Sequence, residues 1–113
     1  MFKWLKEKAE KVAATQCRIS IAFDVRRLVA ISNQVEEQLN QTGGANPTEV
    51  ERVVAAQQRL LNDITLGLAN RLSLQDIERG IDKTLTRGTV GDGARMAVSH
   101  ILNHVRSELR QAV

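Results

Sequence analysis

Apolar residues recur along most of this chain at the three- and four-residue spacing of an α-helix. Residues 1–14 contain no helix breaker and are rich in lysine, glutamate and alanine, which favour helix. A second stripe covers residues 19–41, and a third, the longest and clearest, follows Pro47. Two more stripes cover residues 74–85 and 94–112. The pattern predicts an all-α protein, namely a small helical bundle of four main helices plus an N-terminal amphipathic helical extension.

Local signals mark where these helices begin and end. Gly43 is a natural stop for the helix that precedes it, since glycine adopts the left-handed conformation common at helix ends. Asn46 followed by Pro47 predicts a helix start, with asparagine as the N-cap and proline at the first helical position. Ser73, three residues before an aspartate, resembles a second capping arrangement. The glycines of Gly88–Gly93 predict a flexible loop before the last helix.

The first two stripes do not lie on the same side of one helix, which leaves open the structure of residues 15–23, where the first stripe ends and the second begins. On one continuous helix the stripe of residues 19–41 lies about 130° round from that of residues 1–14. Either a kink separates them, or residues 19–25 are buried on two sides. Residues 18–24 also alternate polar and apolar side chains, which is typical of a strand. Since the chain offers no second strand to pair with it, we favour helix over strand, and a kink within residues 15–23 stays open.

The charge of the chain is concentrated at its N-terminus. Residues 1–18 hold five lysine or arginine residues and two glutamates, a net +3, whereas the remaining 95 residues hold eleven of each sign. We therefore divide the 113 residues into a basic amphipathic N-terminal helix, 1–18, and a single-domain bundle, 19–113. A nucleic-acid binder usually carries a basic stripe across a folded face, so the neutral bundle counts against that function.

Candidate chemistry is sparse. Cys17 is the only cysteine, which excludes an internal disulfide framework, and we expect a buried, reduced thiol. His100 and His104 stand four residues apart, a spacing at which both could reach one metal ion, with Glu108 as a third ligand. That stripe lies away from the inward face of the last helix, so we expect a solvated surface there. We expect no metal, no cofactor and no enzymatic activity, because no convergent catalytic set is present.

The chain also lacks sequence features of export or membrane insertion. No uninterrupted apolar run approaches the ~18 residues that a transmembrane helix needs. A secretory signal would follow its basic start with an apolar core of about 7–15 residues. The corresponding stretch, residues 12–31, is interrupted by charged side chains. These observations predict a cytoplasmic protein.

The N-terminal segment is the most informative feature for function. Two of the three aromatic residues, Phe2 and Trp4, stand there among lysines. A short basic amphipathic helix with tryptophan and phenylalanine suits docking on an anionic membrane, pairing with a partner's groove, or folding back on its own bundle. The residues that we predict to bind a partner are Phe2, Lys3, Trp4, Leu5, Lys6, Lys8 and Lys11.

The expected function is that of a small, non-enzymatic helical interaction or regulatory protein, such as an adaptor, regulator or inhibitor. Its N-terminal helix would dock on a partner protein, a second copy included, or on a membrane surface. We expect a protein partner before a membrane, because five basic residues at ~1 kcal/mol each, less two glutamates, give weak lipid binding. The alternatives are a nucleic-acid-binding regulator that uses the helix-loop-helix at 74–112, and a metal-binding protein that uses His100 and His104.

Overall fold

A computed structural model describes residues 2–44 and 46–112 of the chain. These residues form four α-helices and no strand, so the predicted all-α bundle is confirmed. The N-terminal extension is the first part of the longest helix. The helices are α1 (Phe2–Thr42), α2 (Pro47–Ala69), α3 (Leu74–Leu85) and α4 (Asp92–Gln111).

The first helix runs without interruption through the segment whose structure the sequence left open. α1 has 41 residues, which corresponds to about 61 Å of straight helix, and the longest dimension of the molecule is 62 Å. Residues 15–23 are therefore α-helix, without a strand or a sharp kink. The predicted boundary at residue 18 lies within α1, and the division into 1–18 and 19–113 stays a prediction.

The two-sided burial that we offered as the alternative to a kink does not occur. Ile21 and Val25 are buried, whereas Ile19 is 53% and Phe23 60% exposed. The alternation of apolar residues over 18–24 thus has a helical origin. This stretch carries apolar side chains on two opposite sides of one helix, and only one side meets the bundle.

All three other helices pack on α1, which is the element that holds the bundle together. The core is built from one face of α1 and most of the inward stripes predicted for α2, α3 and α4; Val50, Val54 and Leu109 of those stripes are exposed instead. Its largest fully buried side chains are Val25, Leu28, Leu60, Ile64, Ile81 and Val98. Burial of each such side chain stabilises the fold by roughly 1.5–3 kcal/mol, and every helix contributes at least one of them.

The predicted helix ends are confirmed at α1, α2 and α3. Gly43 follows α1 with a φ of +74°, a conformation that favours glycine. The Asn46 side chain accepts a hydrogen bond from the Thr48 backbone N–H at 2.9 Å. The Ser73 hydroxyl accepts one from the Asp76 N–H at 3.1 Å. These bonds satisfy N–H groups that lack partners in the first turn of a helix.

The glycine loop before α4 is fastened to α1 rather than left flexible. The Asn33 side-chain amide donates to the Thr89 carbonyl at 2.9 Å and accepts from the Gly91 N–H at 3.0 Å. A Cβ atom at Gly91 would collide with the carboxylate of Glu36. A side chain at Gly91 would therefore displace the Glu36 carboxylate, which lies beside the start of α4.

We expect Leu60→Ala to lower the free energy of unfolding by about 3 kcal/mol, because it removes a fully buried side chain and leaves a cavity. Leu66→Ala is the matched control on the same helix, since Leu66 is largely exposed, and should change it by less than about 0.5 kcal/mol. Urea unfolding measures both. Equal losses in the two variants would contradict the orientation of α2.

Candidate docking face

Six of the seven residues predicted to bind a partner lie on the part of α1 that extends past the other helices, and Lys11 lies just beyond that part. All seven are exposed to solvent, namely Phe2, Lys3, Trp4, Leu5, Lys6, Lys8 and Lys11. Contact with the bundle starts at Glu10, which forms an ion pair of 3.4 Å with Arg71, and at Ala14, which packs against the core. Residues 2–9 thus form a helical tip about 12 Å long. Its role in binding a partner stays a prediction.

The tip presents its aromatic residues to solvent instead of folding back on the bundle. Phe2 is 82% and Trp4 62% exposed. The Lys8 ammonium lies over the Trp4 ring, 5.2 Å from its centre. At this distance the cation is attracted to the electron-rich face of the indole. The tip therefore offers an apolar surface with a positive charge held beside it.

The exposed apolar residues of the tip continue along α1 well beyond it. Leu5, Val12 and Ile19 recur every seven residues and are all exposed. A parallel row, also seven residues apart, contains Phe2, Ala9, Gln16, Phe23 and Ala30, all of them exposed. We call these two rows, together with the basic residues beside them, the outer face of α1.

The outer face is opposite the face that packs in the core. Residues nine apart in an α-helix lie about 180° from each other. Val12 is exposed while Ile21 is buried, and Ile19 is exposed while Leu28 is fully buried. The same geometry that fixes Leu28 inside the bundle therefore fixes Ile19 on the outside.

Sequence reasoning identified the tip but missed its continuation to Ile19 and Phe23. The available signal was the seven-residue recurrence of Leu5, Val12 and Ile19, which crosses residue 18. This recurrence is missed when each helical segment is expected to have a single apolar stripe, because the second stripe of α1 then resembles a strand or a second buried side.

Positive charge predominates along the outer face. Lys8, Arg26 and Arg27 lie within about 60° of Val12 around the helix, and Lys6, Lys11 and Arg18 lie at the edges, about 100–120° from it. Among the acidic residues of the same segment, Glu10 pairs with Arg71 and Asp24 is buried. Glu7 lies about 140° from Val12, close to the edge that carries Lys11 and Arg18. The outer face of residues 2–30 thus combines apolar and cationic side chains, with the Glu7 carboxylate near one edge.

A basic groove adjoins this face where α1 meets α2. It has a volume of about 400 Å³ and is lined by Arg27, Arg52 and Arg59 above Ile31 and Ala56. None of the described residues that line it is acidic. The groove extends the positive surface of α1 onto α2.

A buried carboxyl pair joins the same two helices on the inner side. Asp24 is only 6% exposed, and its Oδ2 atom has no hydrogen-bond partner among the described residues. Burial raises the pKa of Asp24 to about 7, and a hydrogen bond to Asp63 and repulsion from it act in the same direction, against the opposing charge of Arg59. The Asp24 carboxyl therefore holds a proton in the folded chain under mildly acidic conditions.

We expect Asp24→Asn to stabilise the fold above about pH 7, because it removes a buried group that must lose its proton there. The pKa is raised on folding, so the contribution of Asp24 is fully present below about pH 3.8 and is lost as the pH rises through about 7. Urea unfolding should show the variant gaining on the native chain between these values. Each tenfold difference in proton affinity corresponds to about 1.4 kcal/mol.

Asp82→Asn on α3 is the matched control, because Asp82 is exposed. It shows what the loss of one exposed carboxyl does to the urea unfolding curve. If Asp24→Asn did not gain on the native chain between pH 3.8 and about 7 beyond any change seen for Asp82→Asn, the Asp24 carboxyl would not carry the proton.

The alternative sites on α4 are less organised. His100 and His104 are exposed, and His104 Nε2 lies 3.9 Å from a Glu108 carboxylate oxygen. Within residues 2–44 and 46–112, no group of three or more histidine, cysteine, aspartate or glutamate side chains could hold one metal ion. Nucleic-acid binding would use α4, where Arg106 donates hydrogen bonds to Glu78 at 2.9 Å and to Asn103 at 2.7 Å. Two of the polar side chains that would contact nucleic acid, Arg106 and Asn103, are therefore already hydrogen-bonded within the chain.

Comparison of the chain with protein-family models, with curated proteins and with solved structures found no match. Among the described residues, no helix combines the length and the apolar character needed to cross a bilayer. The geometry and charge of the outer face are therefore the features that bear on function.

Proposed function

We propose that this protein is a small, non-enzymatic interaction or regulatory protein of the cytoplasm that docks on its partner through the N-terminal tip of α1. The observation that carries the proposal is the exposure of Phe2 and Trp4 on the tip of a helix whose opposite face forms the core. The contact residues are the six predicted residues of the tip, from Phe2 to Lys8, together with Lys11 just beyond it, and the partner is a protein or a membrane surface.

The tip is built to bind at low conformational cost. Because α1 is continuous, residues 2–9 extend a helix that the bundle already holds at Glu10 and Ala14. A partner then contacts Phe2 and Trp4 on a helix that is already ordered. Because binding does not have to order this backbone, the affinity is higher. Tryptophan and phenylalanine also supply much of the energy in protein interfaces and anchor helices at membrane surfaces.

The remaining ionisable groups support docking over catalysis. The one carboxyl with a strongly raised pKa, Asp24, is enclosed between α1 and α2 instead of facing an open cleft. Cys17 is buried as well. A substrate would have to reach such a group to react with it.

The combined variant Phe2→Gln, Trp4→Gln and Leu5→Gln tests this function, since glutamine preserves helix propensity while removing the apolar contacts. The native chain, tagged at its C-terminus, is isolated from its own cells and its bound protein and lipid are quantified. We expect the variant to retain at least tenfold less of that partner.

The matched control replaces exposed apolar residues elsewhere, Leu66→Gln and Met96→Gln. It should retain the partner as the native chain does. Urea unfolding confirms that both variants fold. Equal retention by the tip variant and the native chain would show that the tip is not the binding element.

A further inference from the structure

We infer that the whole outer face of α1, not the tip alone, lies flat on a lipid bilayer that contains anionic phospholipid. The inference rests on the proposed docking function and names its partner. The face extends over residues 2–30, about 43 Å of helix, with the rest of the bundle behind it. A helix of this kind, with aromatic and aliphatic side chains on one side and cations beside them, binds in the plane of the interface.

The apolar side chains of the face can all meet one plane at the same time. Phe2, Leu5, Val12, Ile19 and Phe23 are each at least half exposed and lie on the side of α1 that faces away from the core. The other helices all pack on α1. They reach the outer face at its C-terminal end, where Arg27 borders a groove with Arg52 and Arg59 of α2, and where Arg26 and Ala30 border a pocket with the loop before α4. Trp4, at the edge of the row beside Lys8, has the mixed apolar and polar character that favours the headgroup region.

The charges of the face specify an anionic surface. Lys8, Arg26 and Arg27 stand beside the apolar rows and three more basic residues lie at the edges. Of the carboxylates, Glu10 is paired with Arg71 and Glu7 lies near one edge. Each basic residue near an anionic membrane strengthens binding by ~1 kcal/mol, which is about fivefold in affinity. From the sequence we expected weak lipid binding, because both glutamates were subtracted from the basic residues of the N-terminal segment and Arg26 and Arg27 were not counted. In the folded chain Glu10 is paired with Arg71, and Arg26 and Arg27 stand beside the apolar rows.

The seven-residue spacing also occurs in coiled coils, so a partner helix is the competing occupant. Two residues of the rows count against it. Gln16 interrupts one row, and Arg26 takes the place that follows Ile19 in the other. In a helix–helix seam Arg26 would be buried, whereas at a bilayer its long side chain reaches the phosphates. A second copy would also bring the same positive flanks together.

Trp4 is the only tryptophan of the chain and reports docking directly by its fluorescence. The full chain is titrated with vesicles of phosphatidylcholine and phosphatidylglycerol in equal amounts, and with vesicles of phosphatidylcholine alone. We expect a blue shift with the anionic vesicles, at least tenfold tighter binding than with the neutral ones, and weakening as salt is added. No shift with anionic vesicles would overturn the inference.

Moving the reporter separates this inference from the proposed function. In Trp4→Phe with Phe23→Trp the single indole stands in the middle of the face, and in Trp4→Phe with Met96→Trp it stands on α4, away from it. We expect the anionic vesicles to shift the emission of the first and not of the second. A shift with the native chain but not with the reporter at position 23 would leave docking by the tip and overturn docking by the whole face.

Charge variants complete the test. Arg26→Gln with Arg27→Gln should weaken binding to the anionic vesicles by roughly 25-fold, at about fivefold for each charge. The control Arg95→Gln with Arg110→Gln removes two exposed arginines of α4 and should leave binding within about twofold. If the native chain ignored the vesicles but formed a dimer, or bound a synthetic helix with leucine seams and glutamate flanks, a helix and not a bilayer would be the occupant.

Discussion

The packing of one face of α1 against the other three helices is the interaction on which the rest of the structure depends. Val25 and Leu28 are fully buried there, and helical geometry then leaves no choice for the residues on the opposite side. Ile19 and Phe23 must face outward because Leu28 and its neighbours face inward. The exposure of the outer face is thus a direct consequence of the core, since both belong to the same helix.

Other features of the molecule follow from the position of α1. Asn33 fastens the glycine loop to it, which places the start of α4. Asp24 meets Asp63 of α2 across the same interface, so the protonation of Asp24 is linked to the stability of the α1–α2 contact. The Arg27 side chain belongs both to the outer face and to the basic groove shared with α2. The same helix therefore contributes both to the stability of the bundle and to the positive charge of its surface.

The parts of this structure that were predictable from sequence are those set by local chemistry. The caps at Asn46 and Ser73 depend on side chains within three residues of the bonds that they form, and the inward stripes of α2, α3 and α4 depend on period alone. Docking residues beyond the tip and the Asp24–Asp63 pair were not predicted. The first required knowing which of two apolar stripes of α1 the bundle covers, and the second required the register between α1 and α2, which nonlocal packing decides.

The opposite exposure of neighbouring positions on α1 is tested most directly by thiol labelling. Ile19→Cys and Ile21→Cys are each made in a Cys17→Ala background, and the rate of reaction with a soluble thiol reagent is measured on the folded chain. The account predicts that the thiol at position 19 reacts nearly as fast as in the unfolded chain. The thiol at position 21 should react more than tenfold more slowly, since it must wait for local opening. Equal rates at the two positions would contradict the two-faced helix.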